Sequence, residues 1–320
     1  MMAGMEKIRL GISTCLLGLP VRYDGGHKLD HYLKDILGSY VDYVAVCPEV
    51  ECGFGVPREA VRLVGEPAAP RLVTVKTRVD FTERMTEWAL RRVRELEGER
   101  LCGFVFKSGS PSSGMERVKV YNEKGVGVKN GEGLFAGIFM KHFPALPVEE
   151  EGRLHDPVLR ENFIERVFAF YGWQKIVLNR GLKFSDVITY HTRNKLLLLS
   201  HSPRHYQEMG RLVAAGKTVP LRELVLKYES LLMEVMKLKA TPKKNANVLM
   251  HMMGYFKKEL SSWEKGELLE VIEQYRQRVI PLIVPLTLVK HYVRKYDQPY
   301  LKEQTYLDPH PFELQLRNHV

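Results

Sequence analysis

Short apolar runs and amphipathic stretches alternate through the first half of the chain. Residues 8–14 (IRLGIST), 44–46 (VAV) and 103–106 (GFVF) are strand-like runs, each followed by turn-forming or polar residues, and are predicted to be buried strands. Residues 71–76 (RLVTVK) alternate like an edge strand or hairpin arm, and 118–121 form a further short strand. Residues 29–37, 80–97 and 133–142 are predicted helices. In 80–97, Phe81, Met85, Trp88, Ala89 and Val93 share one face, with Asp80 placed to cap the first turn. This alternation predicts an α/β domain with a parallel, Rossmann-like sheet over residues 1–150.

The pattern changes near residue 150. Residues 147–157 (PVEEEGRLHDP) carry proline at each end and a charge run between, as a linker does. Beyond them lie helical windows at 159–170, 184–199, 203–214, 221–238, 245–260, 264–279 and 285–296, so residues 151–320 are expected to form an all-α domain. The leucines before His201 and the methionines around His251 are expected to be core faces. A C-terminal tail with Pro299, Pro309 and Pro311 is expected to lie extended over the surface. No repeat of fixed period is present.

With 320 residues, 45% of them hydrophobic, the chain has room for two packed domains. Its longest strongly apolar run, 279–289, is interrupted by Pro281 and Pro285 and is too short to cross a bilayer, so no membrane is expected. The start of the chain, with Glu6, Lys7 and Arg9, shows no signal-peptide pattern. Four cysteines, three of them in or beside predicted loops, fit a reducing cytoplasm better than a disulfide framework.

Charge is divided unevenly. Residues 1–150 hold 21 Lys and Arg against 20 Asp and Glu, whereas residues 151–320 hold 27 against 18. A basic half beside a neutral one points to an anionic partner, nucleic acid before a membrane surface; the alternative is a solvated basic surface. Arg193, Lys195, Arg204, Lys243, Lys244, Lys257 and Lys258 are the cations expected to follow an RNA backbone. Tyr190, Tyr206, Tyr255 and Phe256 lie among them, each read singly as core.

Three of the predicted strands end in chemistry. The first runs into Cys15, the second into Cys47, Glu49 and Cys52, and the third into Lys107 and a loop from Ser108 to Ser113. Ligands of parallel sheets bind outside the carboxyl ends of the strands. The spacing of Cys47 and Cys52 is not that of a structural zinc site. The thiols are either three small buried residues or ligands that leave one metal position open, as an iron–sulfur cluster can use.

The stretches CLLGLPVRYDGGHK, CPEVECGFGVPR and KSGSPSSG resemble the thiouracil desulfidase (TudS) family over residues 8–120. YHTRNKLLLLSHSPRHY, NVLMHMMGYFKKELSSWEK and IPLIVPLTLVKHYVRKY resemble the YbgA-type domain found fused to it, in the manner of RudS-type tRNA 4-thiouridine desulfidases. The resemblance implies a 4Fe–4S cluster held by three cysteines, an iron that takes sulfur from a thiocarbonyl, and a helical domain that holds tRNA. Cys15 and Cys47 match the family's ligands, but Ser113 stands where the family commonly has cysteine. Cys52 is therefore expected as the third ligand, in preference to Ser113 or to a lost cluster. Cys102 is expected to be core.

Sulfur removal needs a water activated against C4, for which Glu49 is the expected general base, the alternative being a capping or salt-bridged carboxylate. Ser108 or Ser110 is expected to hydrogen-bond the thiolated pyrimidine, or to be a turn hydroxyl. Arg22, Tyr23 and Asp24 are expected to line the pocket, with Arg22 and Arg58 equally readable as structural clamps. Two other functions remain open: a small-molecule thiouracil desulfidase, and a non-catalytic RNA-binding or cluster-carrying regulator.

Overall fold

The computed structural model describes residues 7–319; Glu6 lies outside the described residues. The chain divides into two compact units, one ending at Asp156 and the other beginning at Pro157. The first is α/β and the second helical.

In the first unit, strands β1 (Ile8–Ser13), β2 (Val41–Val46), β5 (Phe104–Phe106) and β8 (Val148–Glu150) form a parallel sheet in the order β2-β1-β5-β8. β1 is buried at every position but Arg9, as a central strand covered on both faces must be. Helices α2 (Thr82–Glu97) and α3 (Leu134–His142) pack on one another, and Trp88, Phe135 and Phe139 meet Phe104 and Phe106 in an aromatic core. Asp80 accepts hydrogen bonds from the backbone and hydroxyl of Thr82 at 2.9 and 2.6 Å, tightening the entry to α2.

A second sheet was not foreseen as a separate layer. β3 (Val61–Val64), β4 (Arg71–Thr74), β6 (Val118–Tyr121) and β7 (Gly127–Gly131) run in the order β4-β3-β6-β7, with β3 and β6 parallel and both outer pairs antiparallel. Residues 29–37, expected to be helical, contain only a five-residue π-type turn at Tyr32–Ile36 and a 3-10 turn at Leu37–Ser39.

The acidic run expected to be a linker is part of the fold. Glu149, Glu150 and Glu151 are buried at the end of β8 and beyond it. Their carboxylates are satisfied locally: Glu149 by Arg153, Glu150 by the backbone N–H groups of Met115 and Glu116, and Glu151 by Lys107 and Ser108. A charge run reads as solvated in sequence, and only the fold supplies the partners that let it be buried.

The second unit comprises α4 (Pro157–Val177), α5 (Phe184–His201), α6 (Pro203–Ala214), α7 (Leu221–Lys237), α8 (Pro242–Gly254), α9 (Ser262–Arg276) and α10 (Ile283–Lys295), followed by the short turn α11 (Pro299–Lys302). α5 packs against α6, α7 and α8, and α8 against α9 and α10. The tail was expected on the surface and is not there. Leu301, Gln304, Tyr306, His310, Leu314 and Arg317 are buried, because the segment fills the bundle rather than covering it. Arg317 pairs with Glu165 of α4 at 2.8 Å, and Glu165 also faces His201 at 3.2 Å. Burial raises the Glu165 carboxyl, but the hydrogen bond to His201 and the charge of Arg317 together hold it below its ordinary value.

Candidate active site

The carboxyl ends of β1, β2 and β5 open onto a cavity of about 320 Å³. Cys15 reaches it from a 3-10 turn at Thr14–Leu17 directly after β1, Cys47 from the end of β2, and Ser110 and Ser113 from the loop after β5. Pro48 opens the helical turn α1 (Pro48–Glu51), which carries Glu49 to the same cavity.

Glu49 joins the three strand ends. Its Oε2 lies 3.7 Å from the Cys47 thiol and 3.9 Å from the Arg58 guanidinium, while its Oε1 accepts a short hydrogen bond from the Ser112 hydroxyl. Arg58 also donates to the carbonyls of Val21 and Gly55 at 2.9 and 3.0 Å, so it clamps the first loop to the second while facing the carboxylate. Arg58 is thus a clamp that also lines the cavity. Burial, reinforced by the nearby Glu49 charge, pushes the Cys15 thiol up to about 11 and the Cys47 thiol up to about 12. Without a metal both are neutral at pH 7, and a metal binding there must displace their protons.

The serine loop is braced from below. Ser108 donates its hydroxyl to Glu151 at 2.8 Å and its N–H at 2.7 Å, and Lys107 pairs with the same carboxylate. Ser110 Oγ accepts from the N–H groups of Ser112 and Ser113 at 3.3 and 3.1 Å. Gly133, just before α3, lets that helix approach closely: a Cβ there would stand 2.5 Å from the Ser112 backbone. The Ser113 hydroxyl makes no hydrogen bond among the described residues and lines the cavity with Cys15 and Cys47.

Cys52 is not brought to this cavity. Its thiol points to the carbonyl of Arg84 in α2, at 3.6 Å. The reason is helical geometry: five positions along a helical turn rotate a side chain by about 140° from its starting direction. Cys47 and Cys52 therefore leave α1 on different sides. Cys102 is buried beside the start of β5, its thiol pushed up to about 12 by burial. Arg22 and Tyr23 line the cavity, whereas Asp24 turns outward, is held below the usual carboxylate range by the Gly26 N–H, and does not. Sequence reasoning missed Ser112 and Glu151; the signal for the second was the acidic run itself.

The cations proposed for RNA in the second unit are scattered. Lys244 is spent on the carbonyls of His201 and Lys239 at 2.6 and 3.0 Å, closing the end of α5. Arg193 pairs with Glu303 at 3.1 Å. Arg204, Lys243, Lys257 and Lys258 are exposed, and Lys195 borders a cavity of about 690 Å³ between α5 and α6 with Tyr206, Arg211 and Lys217. Tyr190 and Phe256 are core, while Tyr255 stacks on Tyr300 at 5.0 Å.

The donor set bears on an iron–sulfur group directly. Among the described residues no three His, Cys, Asp or Glu side chains are grouped to hold a metal ion. Cys15, Cys47 and Ser113 instead line one cavity, which offers two soft thiols and one hydroxyl as donors to such a group. No helix of the described residues is long and apolar enough to cross a membrane.

Comparison with known proteins matches each half separately. Residues 10–151 match the family model described as 2-thiouracil desulfurase, and residues 195–311 match a protein family of unknown function, DUF1722. The uncharacterized protein YbbK of Bacillus subtilis (strain 168) is 27% identical over 108 residues, 32% of this chain and 71% of that protein. The solved structure of the 4Fe–4S-dependent thiouracil desulfidase TudS is 33% identical, covering 48% of this chain and 95% of that one, with a TM-score of 0.39. The uncharacterized protein YbgA of Escherichia coli (strain K12) is 32% identical over 154 residues, which are 48% of this chain and 90% of YbgA. With that identity over nearly the whole of the relative, and with the desulfurase match across its first half, the chain belongs to the YbgA family in a form fused to a 2-thiouracil desulfurase domain.

Proposed function

We propose that this protein removes sulfur from 4-thiouridine in tRNA, converting a thiocarbonyl to a carbonyl with no net oxidation: C=S and water give C=O and hydrogen sulfide. The observation that carries this reading is the convergence of Glu49 with two buried thiols and a serine loop in one 320 Å³ cavity at the carboxyl edge of a parallel sheet. The 2-thiouracil desulfurase match over residues 10–151 gives the chemistry its class. Residues 1–150 are assigned the reaction and residues 151–320 a share of the tRNA contacts.

A 4Fe–4S cluster would be held by Cys15 and Cys47 with Ser113 at the third position; when bound, it supplies an iron that takes up the departing sulfur. The protein's own groups do the rest. Glu49 accepts a proton as water attacks C4, forming the C–O bond while the C=S electron pair moves onto sulfur. The same carboxyl returns that proton to sulfur as the C–S bond breaks, then takes the proton left on the new C4 oxygen and passes it to the departing hydrosulfide, so the products are the carbonyl and hydrogen sulfide. Ser112 fixes the Glu49 carboxylate through its hydroxyl. Ser108 has its proton committed to Glu151, while Ser110 accepts two N–H groups and donates to the Ser112 hydroxyl at 3.1 Å, extending the chain that holds the Glu49 carboxylate.

The test is anaerobic reconstitution with iron and sulfide, followed by release of sulfide from 4-thiouridine in tRNA and from free 4-thiouracil. Turnover of thiolated tRNA, lost in Cys15→Ala and Cys47→Ala and retained in Cys52→Ala, is the expected result. Ser113→Cys is expected to raise the iron bound per chain. Equal loss in Cys52→Ala, or sulfide release from neither substrate, refutes the assignment.

A further inference from the structure

A second groove, of about 600 Å³, adjoins the first; Val61, Ser108, Gly109 and Pro111 border both. It lies on the outer face of the second sheet. Leu63 and Val120 are register partners across β3 and β6 and point into the core. Alternation then places Arg62, Lys119 and Tyr121 on the opposite face. Lys119 is the register partner of Lys129 across β6 and β7, so two ammonium groups are set side by side on that face. Arg62 lies over the Tyr121 ring at 4.9 Å, and Arg117 borders the same groove.

Like charges directly opposite each other in a sheet destabilise it. Among the described residues none of Arg62, Arg117, Lys119 and Lys129 has a carboxylate at ion-pair distance, and the two acids of the groove are already engaged. Glu116 pairs with Arg153 at 2.9 Å, and Glu150 takes the N–H of Met115 at 2.8 Å. Four unpaired cations along one groove, one of them over an aromatic ring and all beside the Cys15–Cys47–Glu49 cavity, match the spaced anions of a sugar–phosphate strand.

We infer that this groove holds the phosphodiester backbone of the RNA strand whose thiolated base enters the Cys15–Cys47–Glu49 cavity. The inference rests on the thiolated-RNA reading above and adds that the α/β unit itself grips the strand. Binding here releases counterions, so affinity falls with salt in proportion to the phosphates contacted.

The test measures the affinity of the full chain for unmodified tRNA between 50 and 200 mM salt. Lys119→Glu with Lys129→Glu is expected to weaken binding on the order of tenfold and to flatten the salt slope by about 1.4–1.8, the share of two phosphate contacts. Lys124→Glu, at the exposed turn between β6 and β7, serves as the charge-matched control and is expected to bind as the unmutated chain does. Lys119→Gln with Lys129→Gln relieves the ammonium repulsion, so a loss of affinity in that pair with an unlowered melting temperature excludes misfolding. Unchanged affinity and slope in both double variants overturn the inference. Weakened binding of uridine 5′-monophosphate without weakened tRNA binding overturns the strand assignment in favour of a single terminal phosphate. Sulfide release by the unmutated chain is scored separately: if it fails while the double reversal still weakens tRNA binding, the groove stands and the desulfidase reading falls.

Discussion

The two halves of this protein carry positive charge in opposite ways. The helical half has the excess, 27 basic against 18 acidic residues beyond position 150, yet many of its cations are spent. Lys244 holds carbonyls, Arg193, Lys227, Arg276, Lys290, Lys295 and Lys302 have carboxylate partners, and Arg317 is buried against Glu165. The α/β half is nearly neutral, yet it gathers four unpaired cations on one sheet face next to the candidate active site. Net charge therefore says that a polyanion is welcome, and only the pairing of each charge says where.

The comparison breaks most sharply at the chemistry. Glu49→Gln is expected to lower sulfide release by about 10²–10⁴-fold, the usual worth of a general base, while tRNA affinity stays within error. A variant that loses affinity as much as turnover would place Glu49 in strand binding instead.

Stability separates the halves next. Arg317→Met strands the buried Glu165 carboxylate, and removing one partner of such a pair costs about 3–5 kcal/mol. The melting transition of the helical unit should fall accordingly while the α/β transition holds, as calorimetry can resolve. A single unshifted transition would show that the pair contributes little.

The buried thiols give a pH signature confined to the α/β half. In metal-free protein the folded values near 11 and 12 lie above the ordinary cysteine value. The thiolate fraction, and with it the alkylation rate of Cys15 and Cys47, should rise about tenfold per pH unit from pH 7 to 10 without levelling. A plateau near pH 8.5 would mean that burial does not set their acidity. The same sign makes folding weaken as pH rises from about 9 through 12, because the unfolded chain gives up these protons first.

The smallest effect is expected where sequence placed the largest. Reversing Lys257 and Lys258, exposed on the helical half, should weaken tRNA binding only about two- to threefold, as dispersed contacts do, with a slope change below that of the sheet-face pair. A greater loss there than at Lys119 and Lys129 would restore the helical half as the principal RNA surface.

What was legible in the chain follows from how local each feature is. Strands ending at Cys15, Cys47 and Lys107, and the seven long helices, announce themselves through periodicity, and the structure keeps them within a few residues except where α4 runs on to Val177 and α8 stops at Gly254. Cys52 faces Arg84 rather than the cavity because a helical turn, which a spacing in sequence does not show, separates it from Cys47. The acidic strand end and the second sheet were missed because their reasons are non-local: Glu151 is buried only because Lys107 and Ser108 come to it from 43 and more positions away. Lys119 and Lys129 look like ordinary surface residues until pairing sets them face to face.

The pairing of Arg317 with Glu165 joins residues 152 positions apart, and this bears on how the helical half is made. Helical bundles of short-range contacts fold quickly, and domains generally fold as units while the chain is being synthesised. Here the first helix of the bundle keeps a buried carboxylate without its guanidinium until the segment carrying Tyr306 and Arg317 has emerged. The α/β unit can finish while its neighbour waits. During synthesis there is thus an interval in which the α/β half is complete and the helical half still awaits its last contact, which makes that half the one exposed to chaperones and proteases.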